Sequence, residues 1–389
     1  MSAISLLGDI AEVGRDPRRG GYSRHVFDAA EAELRTWFTE QAHRRGLDVE
    51  TDRNGNLWAW SGIPGPGAIV TGSHLDSVPG GGAFDGPLGV VGALEAVATV
   101  RGPAAVVVFA EEEGGRFGVP CLGSRLLSGS IDPDRARSLR DRDGVTLAEA
   151  AARAGLDPAR FGRDDEALSR IGTFVELHVE QGRGLIDLGR PVAVGSTVIA
   201  HGRWRFSFEG QGNHAGATPM HDRRDPMLPA AEAVVAARRV ARRFPGARAT
   251  VGRLMPNPGG TNVIASTVDL WLDARGGDAH AMVAEIADAA REAAAGEGCR
   301  VTVTEESASG EVTFDPGLRR ELRSVLGDVP ELPTGAGHDA AILSAHVPAG
   351  MLYVRNPTGI SHAPEEFAED ADVERGARAL AEVLGYLST

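Results

Sequence analysis

Apolar positions recur at helical spacing from Asp28 to Arg45. The segment LDVETDRNGNLWAW that follows carries an Asn54-Gly55 pair that favours a tight turn, so a helix and then a hairpin are expected. GAIVTGSH and AAVVVFAEEEGG are short β-branched runs that end in polar, glycine-containing loops, and GVVGALEAVATV between them has helical length and spacing. Strand, helix and strand in that order predict parallel strands joined by crossovers. In such sheets ligands collect beyond the carboxyl ends of the strands, where His74, Asp85 and the run Glu111 to Glu113 fall.

The pattern changes after about Ala200. WRFSFEG alternates as a half-exposed strand, DPMLPAAEAVVAARRVARRF is helical, ATVGRLM and NVIASTVDLWLDAR read as two strands, DAHAMVAEIADAAREAAAG as a helix and CRVTVTEE as a last strand. This β-α-β-β-α-β order is that of a ferredoxin-like unit, complete in itself. A helix at DPGLRRELRSVLG, a strand at AGMLYV and a closing helix at ERGARALAEVLGYL then return the chain to its first domain. The expected fold is therefore α/β, a mixed, mainly parallel sheet flanked by helices, spanning residues 1–199 and 311–389 and interrupted by an α+β domain over 200–310. Neither a repeat nor a low-complexity tract interrupts this pattern.

The chain has 389 residues, 42% of them hydrophobic, enough for one large core or two, as expected of a soluble globular protein. A net charge of −14 argues against binding nucleic acid or anionic membranes through bulk electrostatics, while leaving room for a local basic pocket. Its two cysteines, Cys121 and Cys299, lie far apart without C-x-x-C spacing, so neither a disulfide framework nor a thiolate zinc site is indicated. MSAISLLGDIAEVGRD places acids where a signal peptide needs an apolar core, and no later run approaches membrane length, so a cytoplasmic location is expected.

The residues able to carry chemistry are His74 and Asp85 in GSHLDSVPGGGAFDG, the triple acid in FAEEEGGRFG, His178 in FVELHVEQG and His362 in GISHAPEE. Each alone has an ordinary reading: a turn aspartate, a solvated charge run, a satisfied strand histidine, a surface loop histidine. Together they make three imidazoles and two or three carboxylates at strand ends or loops of one domain, the mixed nitrogen and oxygen set that suits zinc, manganese or cobalt.

GSHLDSVPGGGAFDGPLGV, EEEGGRFG, ELHVEQG, GNHAGATPM, NVI, GAGHDA and GISHAPEE run in the order and at the approximate spacing of one family. On these motifs, which cover almost the whole chain, the sequence resembles the M20-type metal-dependent amidohydrolases, in the branch of N-carbamoyl-L-amino-acid hydrolases and allantoate amidohydrolases. The resemblance implies two divalent metal ions bridged by Asp85, with His74 and His178 completing one and Glu113 and His362 the other. It makes Glu112 the general base and Asp76 the residue that orients His74. It places Arg275 on the substrate carboxylate, with Asn262 and Gln181 at the same end, and gives Gly337 close contact with substrate, leaving His338 and Asp339 a structural part. His214 resembles a lid histidine that reaches the active site of a partner subunit and polarises the carbonyl, which implies a homodimer and makes the inserted domain a lid and dimerisation domain.

The expected reaction is hydrolysis of the carbamoyl C–N bond of a small ureido acid, with release of ammonia and carbon dioxide. A dipeptidase or N-acyl-amino-acid hydrolase could use the same ligands, but NHAGATPM and Gln181 belong to the ureido pattern. A binding protein without catalysis would lack a ligand or the base, and neither is missing. The sequence departs from the branch at Ala217 (often Thr), at Ala265 (often Pro) and in the Pro-Gly-Gly link before Asn262, all beside substrate-binding positions. His201, where the lid begins, has no role in the pattern.

Overall fold

The computed structural model describes residues 2–389, which form two compact units, one of residues 2–198 with 313–389 and one of residues 199–312. The first is built on a mixed sheet whose centre is four parallel strands, Ala104–Phe109, Ala68–His74, Ile171–Val179 and Ala349–Val354, in that spatial order. Ala68–His74 and Ala104–Phe109 are buried at every residue, as unbroken apolar runs should be in strands covered on both faces. Val192–Val198 adds antiparallel to Ala349–Val354 and takes Glu331–Thr334 parallel on its other side. Helix Pro87–Ala96 forms the crossover after Ala68–His74, and it packs with the closing helix Asp370–Leu387 in one core holding Val90, Leu94, Val106, Leu177 and Leu380.

At the other end of the sheet, Asp48–Thr51 pairs antiparallel with Leu57–Ser61. The connection is longer than the tight turn expected at Asn54-Gly55, since the last pair in register is Thr51 with Leu57. Asp52 Oδ1 accepts from the amides of Asn54 and Asn56, and the Asn56 side chain accepts from Ala110 N, so Asn56 is committed to the neighbouring strand end instead of to the hairpin ladder.

The second unit has four antiparallel strands. In chain order they are His201–Glu209, Arg248–Asn257, Thr267–Arg275 and Arg300–Ser309, and in space they run fourth, first, third, second, the ferredoxin-like arrangement. Trp204, Phe206, Phe208, Val268, Leu270 and Leu272 alternate inward against helices Met227–Ala241 and Ala279–Gly296. The single strand expected over NVIASTVDLWLDAR is broken: Val263–Ile264 pairs with Asn213–His214 in a separate ladder, and the long strand starts at Thr267. Ser266 N donates to Asn257 O while Ser266 O accepts from Gly210 N, which turns the chain between the two ladders.

Candidate metal centre

Three parallel strands deliver their carboxyl ends to one place. His74 ends Ala68–His74, His178 is the next-to-last residue of Ile171–Val179, and Glu111 to Glu113 follow Ala104–Phe109. Asp85 comes from the loop between His74 and helix Pro87–Ala96, and His362 from the loop after Ala349–Val354. Gly86 closes the first loop at φ 86°, and a Cβ there would stand 2.5 Å from the His74 ring, so a glycine is required for Asp85 and His74 to meet.

Asp85 lies between two ligand groups. Its Oδ1 is 3.4 Å from His74 Nε2 and 3.2 Å from His178 Nε2; its Oδ2 is 3.5 Å from His362 Nε2, which is 3.3 Å from Glu113 Oε2. His74, Asp85 and His178 form one set of atoms close enough to hold a single ion, and Asp85, Glu113 and His362 another. His74 Nδ1 faces the backbone oxygen of Asp76 at 3.0 Å and His178 Nδ1 that of Val179 at 2.9 Å. A carbonyl only accepts, so both Nδ1 atoms carry hydrogen, and the two buried Nε2 atoms are turned toward one carboxylate oxygen of Asp85, each able to hold either a proton or a metal ion there. A nitrogen facing a carboxylate at this range has a proton or a metal ion in between, and the mixed nitrogen and oxygen donor set fits a divalent ion.

The surroundings point the same way. Burial lifts Glu112 to about 7, with His74 drawing it down and neighbouring acids adding to the rise; burial and then Asp76 lift Glu111 to about 8. Burial, Asp85 and Glu112 hold Glu113 well above the usual carboxylate range. Burial pushes Asp85 up as well, but the His178 and His74 contacts outweigh it and keep Asp85 well below 3.8. So many buried acids are costly without compensating positive charge.

Asp76 meets His74 through its main chain and uses its side chain elsewhere. Its backbone oxygen holds His74, whereas its carboxylate accepts from the amides of Glu112 and Glu113, each at 3.1 Å, and its Oδ1 stays 3.8 Å from the ring. Gln181 sits inside the cluster, its amide nitrogen 2.6 Å from Asp85 Oδ2. Gly337 lies in the turn before helix Asp339–Leu343 beside His338, whose buried ring packs edge-on to His178 with centroids 4.6 Å apart. Glu366 is absent from the expected ligand set but holds the centre together: Oε1 accepts from the amides of Phe84 and Asp85, and Oε2 from Ser361 Oγ, which also reaches Asp85 Oδ2. The only sequence signal for it is its place four residues after His362 in GISHAPEE.

His214, Asn262 and Arg275 belong to the second unit. His214 is exposed, and its Nδ1 accepts from the amides of Gly216 and Ala217, which leaves the hydrogen on Nε2 and makes the ring a donor outward. Asn262 adjoins it, its backbone oxygen accepting from Ala215 N. Arg275 ends its strand with Nε and Nη2 on the carboxylate of Asp273, at 2.7 and 3.2 Å, and is paired in register with His201.

The sequence matches Peptidase family M20/M25/M40 over residues 70–385. It is 38% identical to an N-carbamoyl-L-amino acid amidohydrolase of Geobacillus stearothermophilus, covering 98% of this chain and 97% of that protein. It is 30% identical to the allantoate amidohydrolase of Bacillus subtilis, covering 95% and 93%. An amidase of the hydantoinase/carbamoylase family from Burkholderia vietnamiensis has the same fold, with a TM-score of 0.92 at 29% identity over 99% of this chain and 96% of that one. The protein belongs to peptidase family M20/M25/M40.

Proposed function

We propose that this protein is a two-metal amidohydrolase that cleaves the carbamoyl C–N bond of a small ureido acid, allantoate or an N-carbamoyl-L-amino acid, releasing ammonia and carbon dioxide. The observation that carries the reading is the pair of three-residue ligand groups sharing buried Asp85, with Glu112 beside them. The relatives' names support the substrate class. His74, His178 and Asp85 would hold one ion, and Glu113, His362 and Asp85 the other. Zinc, manganese or cobalt bound there would supply Lewis acidity and bring a water's pKa down toward neutrality.

The remaining steps fall to the protein. Glu112, lifted to about 7, is poised to take a proton from the attacking water and return it to the departing nitrogen. Its backbone is fixed by the Asp76 carboxylate, so the base and the ligand Glu113 are set by one anchor. His214, with hydrogen on Nε2, is suited to stabilise the negative charge that grows on the carbonyl oxygen. Arg275, whose Nε and Nη2 rest on Asp273, would exchange that carboxylate for the substrate's, with Asn262 and Gln181 as further donors. A homodimer in which His214 serves the partner's site follows from the family resemblance. In support, strand Arg248–Asn257 is an edge of its sheet, and the adjoining helix Met227–Ala241 exposes Leu228 and Val235.

The test is ammonia release from allantoate, N-carbamoyl-L-amino acids, β-ureidopropionate and dipeptides by the manganese-loaded protein. Ureido acids should be hydrolysed and dipeptides should not, and chelation should abolish turnover while leaving the circular dichroism largely intact. Glu112→Gln should retain its metal and lose turnover by on the order of 10²-fold or more. Dipeptide hydrolysis without ureido hydrolysis would overturn the substrate class, and metal loss in Glu112→Gln would make Glu112 a ligand.

A further inference from the structure

Glu112 is gripped by a residue that neither the motif nor the proposed mechanism uses. Cys121 follows it by nine positions and is fully buried, as the left-handed residue (φ 54°, ψ 36°) that opens helix Leu122–Ser128. Its amide donates to Glu112 O at 2.6 Å, and its Sγ lies 3.3 Å from Glu112 Oε1. Few residues other than glycine adopt this backbone conformation, and here it turns amide and thiol toward the same glutamate. With the Asp76 carboxylate on Glu112 N, the glutamate is held at its amide, its carbonyl and one carboxylate oxygen. The other oxygen, Oε2, is 3.6 Å from His74 Nε2 and faces the ligand cluster.

We infer that Cys121 is a positioning residue for Glu112, its S–H fixing Oε1 so that Oε2 alone is presented to the attacking water. The thiol has the right chemistry. It is a weak donor, enough to select a rotamer without drawing the base's charge away as a charged partner would. Burial, with Glu112 adding to it, holds the thiol well above 9, so it stays protonated as a donor. The inference rests on Glu112 being the base and adds which of its oxygens reacts.

The test compares Cys121→Ala with Cys121→Ser, which have nearly the same volume and differ in the donor. They are assayed as manganese-loaded full-length enzyme on whichever of allantoate and N-carbamoyl-L-alanine the wild type turns over faster. Cys121→Ala should lower kcat about tenfold with KM and metal content unchanged, and Cys121→Ser should recover to within about threefold of wild type, because a freed carboxylate loses reactive geometry without losing substrate contacts. Combined with Glu112→Gln, Cys121→Ala should cost nothing further, since there is no base left to orient. Equal kcat in the Ala and Ser variants, or a further loss on the Glu112→Gln background, overturns the inference and leaves Cys121 a packing residue. Full turnover by Glu112→Gln alone would instead overturn the reading of Glu112 as the base, which the same series reads separately.

Discussion

At His178 a proton and a metal ion compete for one lone pair, and the outcome depends on pH. Burial lowers this histidine, but Asp85 outweighs burial and lifts it from 6.5 to about 9 without a cation, while Glu111 rises from 4.5 to about 8. For a histidine raised on folding, the added stability is complete below 6.5 and lost as pH rises through about 9. For a carboxyl raised on folding, stability likewise falls as pH rises, here from about 4.5 to about 8, because the folded state binds the extra proton. Both terms weaken the metal-free protein toward alkaline pH; Glu111 is not a ligand, but the His178 term belongs to the metal-free protein alone, because a bound cation keeps that ligand deprotonated at no such cost. The thermal midpoint gap between metal-loaded and metal-free protein should therefore widen from pH 5 to pH 9, by on the order of 5–10 °C. A constant or narrowing gap in scanning calorimetry would mean that protons do not occupy the ligand cluster.

The residue scale also marks where the sequence stops being informative. His74, Asp85, Glu113, His178 and His362 stand in motifs whose residue types announce metal chemistry. Glu366 and Cys121 do not, because their parts depend on contacts across 281 and 9 residues that no local pattern encodes. Asp76 was legible as a neighbour of His74, but not as the acceptor for two amides on another loop.

Among the elements, those with strong periodicity were legible and those defined by their partners were not. Ala68–His74, Ala104–Phe109 and the two long helices of the second unit follow from continuous or amphipathic runs. Val192–Val198 and Glu331–Thr334 carry a glycine and a proline within short, weakly patterned segments, and they become strands through pairing with each other and, for Val192–Val198, with Ala349–Val354. The loop joining Ala68–His74 to helix Pro87–Ala96 shows how tightly an element can depend on one residue. Gly86→Ala must accommodate a Cβ 2.5 Å from the His74 ring at a positive φ, so the ring or the helix start has to move. The variant should lose about 1–3 kcal/mol of stability and bind one equivalent of metal less, with His74 the ligand displaced. Full metal occupancy by elemental analysis, with an unchanged melting midpoint, would refute that account of the loop.

For the whole molecule the open question is whether each site needs a second copy of the chain. The proposed roles divide between the two units, with Glu112 and the metal ligands in the first and His214 in the second. If His214 serves the partner's site, an inactive Glu112→Gln subunit and an inactive His214→Ala subunit should complement one another. In the mixed dimer one site would combine intact Glu112 from the His214→Ala chain with intact His214 from the Glu112→Gln chain, and the other would lack both. Two-fold symmetry then sets the ceiling at about half of wild-type activity per mixed dimer. His214→Ala alone should depress kcat more than it raises KM, because a donor to the carbonyl oxygen matters most as charge develops there. Arg275→Ala should instead weaken binding and discrimination between substrates with and without a carboxylate. Exchange of differently tagged subunits, verified by native mass spectrometry, followed by ammonia release separates the possibilities. Recovered turnover requires His214 to act in trans, and mixed dimers that form yet stay inactive would place it in the site of its own chain.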